Sequence, residues 1–338
     1  MSSDALASMA VKLRKQLHQS GLEMLSRCGL QFQFRYIEGI KRKPNAFLIC
    51  GSATDKAVGA DLNHKIETGE LEQESVILDV ARDAVANHPD RDGIDLEDEE
   101  KGKSVQQVLD DTKDKAVRLV TAHHAEVAPT IRPKQVARKF SINMDKWLRL
   151  KARSIHDKAE EADNAWMKQT LHRQAAHLNV AAKEGFDFVG EMDITEEYEK
   201  DVMDETYGVK TFVVRDTKTS GKSPAENTAH ESHQLSAYAL AAQVLDGRLP
   251  DALKLDYLID LKRGTKTMTL ETHRDERDTA AFMDRLVRGI VSIRSGVFMP
   301  APDVAWYCSQ KWCAYWDRCP AVKHSVTSSG LVQIGESK

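Results

Sequence analysis

Apolar positions recur with period two in four stretches of the chain and with a helical period in most of the rest. GFDFVGEMDIT (185–195) and KTFVVRDTKTSGK (210–222) alternate and are rich in Phe and Val, which predicts two strands joined in hairpin fashion across an acidic spacer. HESHQLSAYALAAQVL (230–245) reads as a helix. LKLDYLIDLKRGTKTMTLETH (253–273) alternates around an RGTK turn and reads as a strand hairpin at a sheet edge. RDERDTAAFMDRLVRGIVSIRSGVF then places Phe282, Leu286, Ile290 and Ile293 on one helical face, ending near Gly296.

Upstream the pattern is mostly helical. Residues 5–27 predict an amphipathic helix leading into LSRCGLQFQFRYIEGIKRKP, where Phe32, Phe34 and Tyr36 are candidate packed aromatics. Residues 46–70 read as a short apolar run, a turn at Gly51 and a helix with Asp55 near its start, where the helix dipole favours a carboxylate. From about 70 to 180 helices dominate, interrupted by an acidic, solvated loop at 88–104 that lacks calcium-loop spacing. The helix at 105–127 has Val108, Leu109, Val117 and Val120 as core candidates. His123 and His124 are adjacent, so they point apart and read as helix-end residues rather than a metal pair. IRPKQVARKFSIN (131–143) predicts a strand, and 151–184, with Trp166, Leu171, Ala175 and Leu178 on its apolar side, predicts one long helix or a pair. The tail beyond about 322 is Ser- and Gly-rich and expected to fray.

Composition adds bounds. With 41% apolar and 30% charged residues over 338 positions, the chain has enough apolar sequence for a sizeable core in one or two domains. No apolar run approaches a membrane span of about 20 residues and the start lacks a signal-peptide core, so a cytoplasmic location and no membrane partner are expected. A net charge of −4 does not advertise nucleic-acid binding, although two basic clusters stand out: Arg27, Arg35, Lys41, Arg42, Lys43, and Arg132, Lys134, Arg138, Lys139. Each reads equally as a phosphate-contacting patch or as a solvated basic surface.

The candidate chemistry lies in two places. Asp216 and Lys218 are two apart on a strand and share a face, about 7 Å apart. Gln234 and Tyr238 are four apart on a helix and share a face; Asp193 sits on the strand before. Carboxylates and an ammonium converging on one point suit a hard divalent cation and a polarised water or phosphate. Taken alone, D-x-K is more often an incidental surface pair. Of five cysteines, Cys308, Cys313 and Cys319 are spaced closely enough to surround one metal centre. A cubane or a tetrahedral zinc needs a fourth soft ligand. Cys28 is the better candidate, because Cys50 lies in the apolar FLICG run and reads as a buried small hydrophobe. Spacing alone leaves iron–sulfur and zinc both open.

In this order the motifs resemble the RecB-type PD-(D/E)XK nuclease family, in its iron–sulfur branch of AddB-type, CRISPR-associated and phage exonuclease-like members. RCGLQFQFRYIEGI resembles the family's N-terminal cysteine segment, GSATDKAV its first motif and GEMDI the strand with a metal-binding Asp. VVRDTKTSG resembles the D-x-K strand, HQLSAY the Q-x-x-x-Y helix and CSQKWCAYWDRC the cysteine triad. The resemblance spans about Leu25 to Cys319. It implies an α/β (α+β), restriction-endonuclease-like mixed β-sheet flanked by helices, with a C-terminal cysteine-cluster region. The implied organisation is a single nuclease domain over 1–322, a helical insertion at about 70–180 and a flexible tail at 323–338.

The resemblance further implies that Asp193 and Asp216 bind Mg2+ or Mn2+, that Lys218 orients or activates the attacking water, and that Gln234 and Tyr238 position the DNA or the surroundings of Lys218. Cys28, Cys308, Cys313 and Cys319 would hold a [4Fe–4S] cluster. The chain departs from the family where the first-motif His is replaced by Asp55 and the Glu one turn later by Gly59, and where four residues rather than two follow Cys308. His64 cannot substitute, because nine residues along a helix turn it to the opposite side. Asp55 remains an oxygen ligand suited to a hard cation. The expected function is therefore a Mg/Mn-dependent deoxyribonuclease acting on DNA ends or single strands in recombination, repair, or phage or CRISPR DNA processing, with protein partners in recombination or CRISPR adaptation. The alternative is a catalytically impaired nuclease-fold protein that binds DNA or a partner.

Overall fold

The computed structural model describes residues 16–97, 100–182, 185–199 and 210–321; residues 5–15 of the expected first helix, most of the acidic spacer and the Ser/Gly-rich tail lie outside these residues. The elements run β1 (Gln16–His18), α1 (Gln19–Arg27), α2 (Gly29–Phe32) extended by a π-helical turn (Gln33–Ile37), α3 (Ala46–Thr68), α4 (Glu74–Ala86) and α5 (Val105–Ala122), which is extended by a π-helical turn (His123–Val127). They continue with β2 (Pro133–Asn143), α6 (Met144–Glu160), α7 (Ala165–Ala181), β3 (Asp187–Glu199), β4 (Lys210–Ser220), α8 (Thr228–Glu231), α9 (His233–Asp246), β5 (Ala252–Leu261), β6 (Gly264–Thr272) and α10 (Glu276–Ser295). The chain has a mixed α/β, restriction-endonuclease-like architecture in which helices flank a mixed sheet. It divides into two compact units, one built from 1–42, 144–186 and 286–338, the other from 43–143 and 187–285.

The sheet unit carries the strands in the order β2–β3–β4–β5–β6. β2, β3 and β4 pair antiparallel, β4 and β5 pair parallel, and β5 and β6 form the antiparallel edge hairpin that the RGTK turn predicts. A parallel step needs a crossover, which α8 and α9 supply. Because β4 is central it is buried on both sides, and residues 212–217 are all buried instead of alternating. The helical layer α3, α4 and α5 packs Ile49, Val58, Leu62, Ile77, Val85, Leu119 and Val120 into one apolar cluster with Ile194 and Leu258 of the sheet.

Two expectations about α3 change. Gly51 is not a turn: the helix begins at Ala46, capped by the Asn45 side chain accepting from Leu48 N at 3.0 Å, and ends at Gly69 with φ 86°. Asp55 is therefore in mid-helix, and the first-turn dipole argument does not apply to it. Gly51 and Gly59 instead line the close side of the helix. A Cβ at Gly51 would stand 3.4 Å from Thr219 Oγ1, and one at Gly59 3.6 Å from Val136 Cγ1.

The second unit is helical. Residues 16–18 are extended, so the first helix is confined to Gln19–Arg27 among the described residues. Leu22, Phe32, Phe34, Met144, Leu148, Phe186, Leu286 and Ile290 are among its buried apolar residues. Residues 144–181 form the pair of helices α6 and α7, joined by a short loop. α7 buries Ala175, Leu178 and Ala181, whereas Trp166, expected in the core, is 68% exposed: it sits two positions after the Asn164 cap, before the buried stripe begins. Gly29 is required by close approach, since a Cβ there would lie 2.6 Å from Met299 N, and its own N–H donates to Met299 O at 2.6 Å. No helix among the described residues is long and apolar enough to cross a membrane.

Candidate functional site

Asp216 and Lys218 leave β4 on the same face, and the β3–β4 register places Asp193 opposite Asp216 at the end of that ladder. Gln234 and Tyr238 reach the same carboxylate from the first turns of α9. Gln234 Nε2 donates to Asp216 Oδ1 at 2.6 Å and lies 2.7 Å from the Tyr238 hydroxyl. That hydroxyl stands between Asp216 Oδ1, at 3.2 Å, and Asp193 Oδ1, at 3.3 Å, and donates to one of them at a time. Thr217 N donates to Asp193 Oδ2 at 3.3 Å. Lys218 Nζ lies 2.5 Å from Asp216 Oδ2. This short ion pair holds the buried carboxylate against the ammonium. The structure thus brings together Asp193, Asp216, Lys218, Gln234 and Tyr238.

Electrostatics set the protonation of the group. Burial, the Asp216 and Asp55 charges push Asp193 well above the carboxylate range, although Lys218 and Thr217 N oppose this. Burial, then the Asp216 charge, raises Asp55 from 3.8 to about 6, with Lys218 pulling the other way. The Asp55 side chain is ringed by protein yet open to water, so solvent moderates that shift. Burial disfavours the Lys218 ammonium, but Asp216, Asp193 and Asp55 outweigh it and hold Lys218 above its ordinary range. Burial and the two carboxylates keep Tyr238 a phenol. Three carboxylates face one ammonium in a largely enclosed place, so all three cannot ionise there without a further cation. That donor set suits a hard divalent cation, which would let the carboxylates ionise together.

The chain matches the model of the PD-(D/E)XK nuclease superfamily over residues 16–320. It belongs to that superfamily. The match covers nearly the whole chain, so a nuclease acting on nucleic acid, with the divalent cation such as Mg2+ that these enzymes typically use, follows from it. No curated protein matches at a significant level.

Several features of the nuclease escape a local reading of its sequence. Tyr257, beside Lys218 in the β4–β5 register, is half-buried on the same face, and the alternation of β5 together with that register is the signal that places it there. On the opposite face Arg215 is buried between Glu196, with which it makes a very short ion pair, and Asp256, 3.0 Å away. Thr269 Oγ1 donates to Asp256 at 2.5 Å and Arg132 N to Glu196 at 2.7 Å. Arg274 is buried and donates to Ser236 Oγ, Thr272 Oγ1 and the carbonyls of His230 and His273 at 2.7–2.9 Å, fixing the bend between α8 and α9. Ala137, with φ 53°, is the non-glycine residue of positive φ among those described, and it lies in β2 between the pairs Val136–Ile194 and Arg138–Met192 that flank Asp193. His123 is a helix-end residue as expected, but it is buried, and burial lowers its imidazole from 6.5 to about 4.

The second basic cluster is mostly spent internally. Arg138 makes two 2.8 Å bonds to Asp246, Lys134 pairs with Glu197 at 2.7 Å, and the Arg132 guanidinium lies over the Tyr198 ring, leaving Lys139 exposed without such a contact among the described residues. In the first cluster Lys41, Arg42 and Lys43 are exposed, while Arg27 lies over the Tyr307 ring.

In the helical unit Cys28, Cys308, Cys313 and Cys319 line one cavity with Leu30, Phe34 and Tyr315. Ala301 N donates to Cys28 Sγ and Gln31 Nε2 to Cys313 Sγ, each at 3.4 Å. Burial first, then the neighbouring Cys28, Cys313 and Cys319, raise the Cys308 thiol. Four sulfurs with N–H donors aimed at two of them and apolar walls suit a thiolate-bound metal centre. Cys50 lies apart in α3, buried, with its thiol pushed up to about 11 by desolvation, and is inert.

Proposed function

We propose that this nuclease is a Mg2+- or Mn2+-dependent deoxyribonuclease that hydrolyses phosphodiester bonds at DNA ends or in single strands. The observation that carries the reading is the hydrogen-bonded group Asp193–Asp216–Lys218–Gln234–Tyr238. Asp193 and Asp216 would hold the cation, with Asp55 contributing from α3. When bound, the cation supplies Lewis-acid polarisation of the scissile phosphate and an acidified water. Lys218, held protonated by the surrounding carboxylates, orients that water and stabilises negative charge developing on the phosphate. Gln234 and Tyr238 fix the Asp216 rotamer, so that its second oxygen stays aimed into the site. The exposed Lys41, Arg42, Lys43 and Lys139 offer contacts to the DNA backbone.

The test compares wild type with Asp216→Asn and Lys218→Met on single-stranded, blunt and flap DNA in Mg2+ and in Mn2+. Loss of at least about a hundredfold in rate is expected for each, the scale of removing one transition-state contact. Undiminished cleavage by both variants would refute the assignment. DNA binding by wild type without cleavage in either metal would instead support a catalytically impaired binding protein, a reading favoured by Asp55 in place of the family's histidine.

The four cavity cysteines are proposed to hold a [4Fe–4S] cluster that stabilises the helical unit, with zinc as the alternative. Anaerobic protein should be brown, with iron and sulfide in equal amounts, and Cys28→Ser should lose both; a colourless preparation with stoichiometric zinc would overturn this.

A further inference from the structure

The helical hairpin α6–α7 carries a cluster of ligand-type side chains apart from both sites above. His156 and Glu160 are four apart on α6 and share a face, and His172 projects from α7 toward them. One ligand atom from each of the three lies within 4.8 Å of the others. We propose that His156, Glu160 and His172 form a binding site for a divalent transition-metal ion of the zinc type, which clips α6 to α7.

Three observations support it. His172 Nε2 stands 3.2 Å from Glu160 Oε1. A tetrahedral ion with arms of about 2.0–2.1 Å spans an N···O edge of about 3.3 Å, so this pair already has the separation of two ligands on one ion. The His156 and His172 rings are 5.0 Å apart at an interplanar angle of 64°, which lets both present a nitrogen to one point without stacking. Finally, Lys168 Nζ holds the other carboxylate oxygen, Glu160 Oε2, at 2.7 Å, and thereby fixes Oε1 toward the imidazoles without occupying it. Two imidazoles and a carboxylate select zinc, cobalt, nickel or copper over magnesium. His156 and Glu160 are exposed, so an ion enters from solvent and water completes its shell.

The proposal does not depend on the nuclease reading, and its test keeps the sites separate. Full-length protein is titrated with Co2+ in excess Mg2+, which saturates the carboxylate site. Cobalt on thiolates gives strong near-ultraviolet charge-transfer absorption, whereas cobalt on two imidazoles and a carboxylate gives only weak visible bands. Wild type should show these visible bands with one equivalent more metal than His172→Ala or His156→Gln, and Zn2+ should raise the melting temperature of wild type alone. Affinity should fall at least tenfold in either variant and by a smaller factor in Lys168→Met, which loses the contact that orients Glu160. Should His172→Ala fail to fold, the exposed His156→Gln decides alone. Equal metal content and equal visible bands in wild type and His156→Gln would overturn the proposal.

Discussion

Arg274 gives the most direct test of how α9 is held in place. Its guanidinium is buried and uses all three nitrogens: Nε to Ser236 Oγ at 2.9 Å, Nη1 to Thr272 Oγ1 and His273 O, both at 2.9 Å, and Nη2 to Ala229 O, His230 O and Ser232 O at 3.1, 2.7 and 3.2 Å. Ser232 caps α9 and Gln234 follows two residues later, so this cation fixes the start of the helix that presents Gln234. Charge-assisted bonds contribute about 1.5–3 kcal/mol each when isolated. They are not independent here, because the Ala229 and Ser232 carbonyls also accept from Ser232 N and Ser236 N. Truncation removes the donor those carbonyls share, so Arg274→Ala should lower the local opening free energy by about 3 kcal/mol. That corresponds to roughly 150-fold faster amide exchange across 229–240 when opening is at equilibrium. Arg274→Lys keeps the charge but not the planar fork and should recover only part of the protection. Hydrogen-exchange mass spectrometry of peptides from 225–246 measures this directly, alongside kcat, which should fall while DNA affinity changes little. Less than tenfold acceleration in Arg274→Ala would refute the reasoning, as would full recovery in Arg274→Lys.

Asp55→Asn should stabilise the protein in a pH-dependent way. The folded chain holds Asp55 protonated up to about 6 against 3.8 in the unfolded chain, so the stability it contributes is present below 3.8 and lost as pH rises through 6. The unscreened difference is about 3 kcal/mol, which water access reduces to about 1 kcal/mol. Urea midpoints should therefore favour the variant at pH 7.5 and converge at pH 4, and Mg2+ should stabilise wild type more than the variant; a pH-independent gap would refute it. Ala137→Gly should raise stability by about 1 kcal/mol in the same assay by relieving a left-handed alanine, and Ala137→Val should lower it. Arg215→Met should cost about 3–5 kcal/mol by leaving Glu196 and Asp256 uncompensated in the core, and replacing all three by apolar residues should recover most of that loss.

The sheet was legible because β3, β4, β5 and β6 each carry a period-two signal and a turn marker between β5 and β6. The spacings D-x-K and Q-x-x-x-Y likewise told which side chains leave one face. What stayed hidden depends on distant partners. The basic cluster on β2 looks open in sequence because Asp246 and Glu197, which neutralise Arg138 and Lys134, lie far along the chain. Arg215 looks like a surface residue of an alternating strand until Glu196 and Asp256 are placed beside it. Gly51 reads as punctuation because glycine is usually that, whereas here it gives α3 a close approach to Thr219.

The division of the chain into a unit of two segments and a unit of three sets an order of events during synthesis. Every residue of the sheet unit has been made once residue 285 is added, so it can close around β4 while the remainder is still being translated. The helical unit needs residues 286–321 to meet residues 16–42, and its cysteine cavity unites Cys28 with Cys308, Cys313 and Cys319. Its longest loop cannot close until the C-terminal cysteines have been made, so a cofactor held by all four sulfurs binds only after that point.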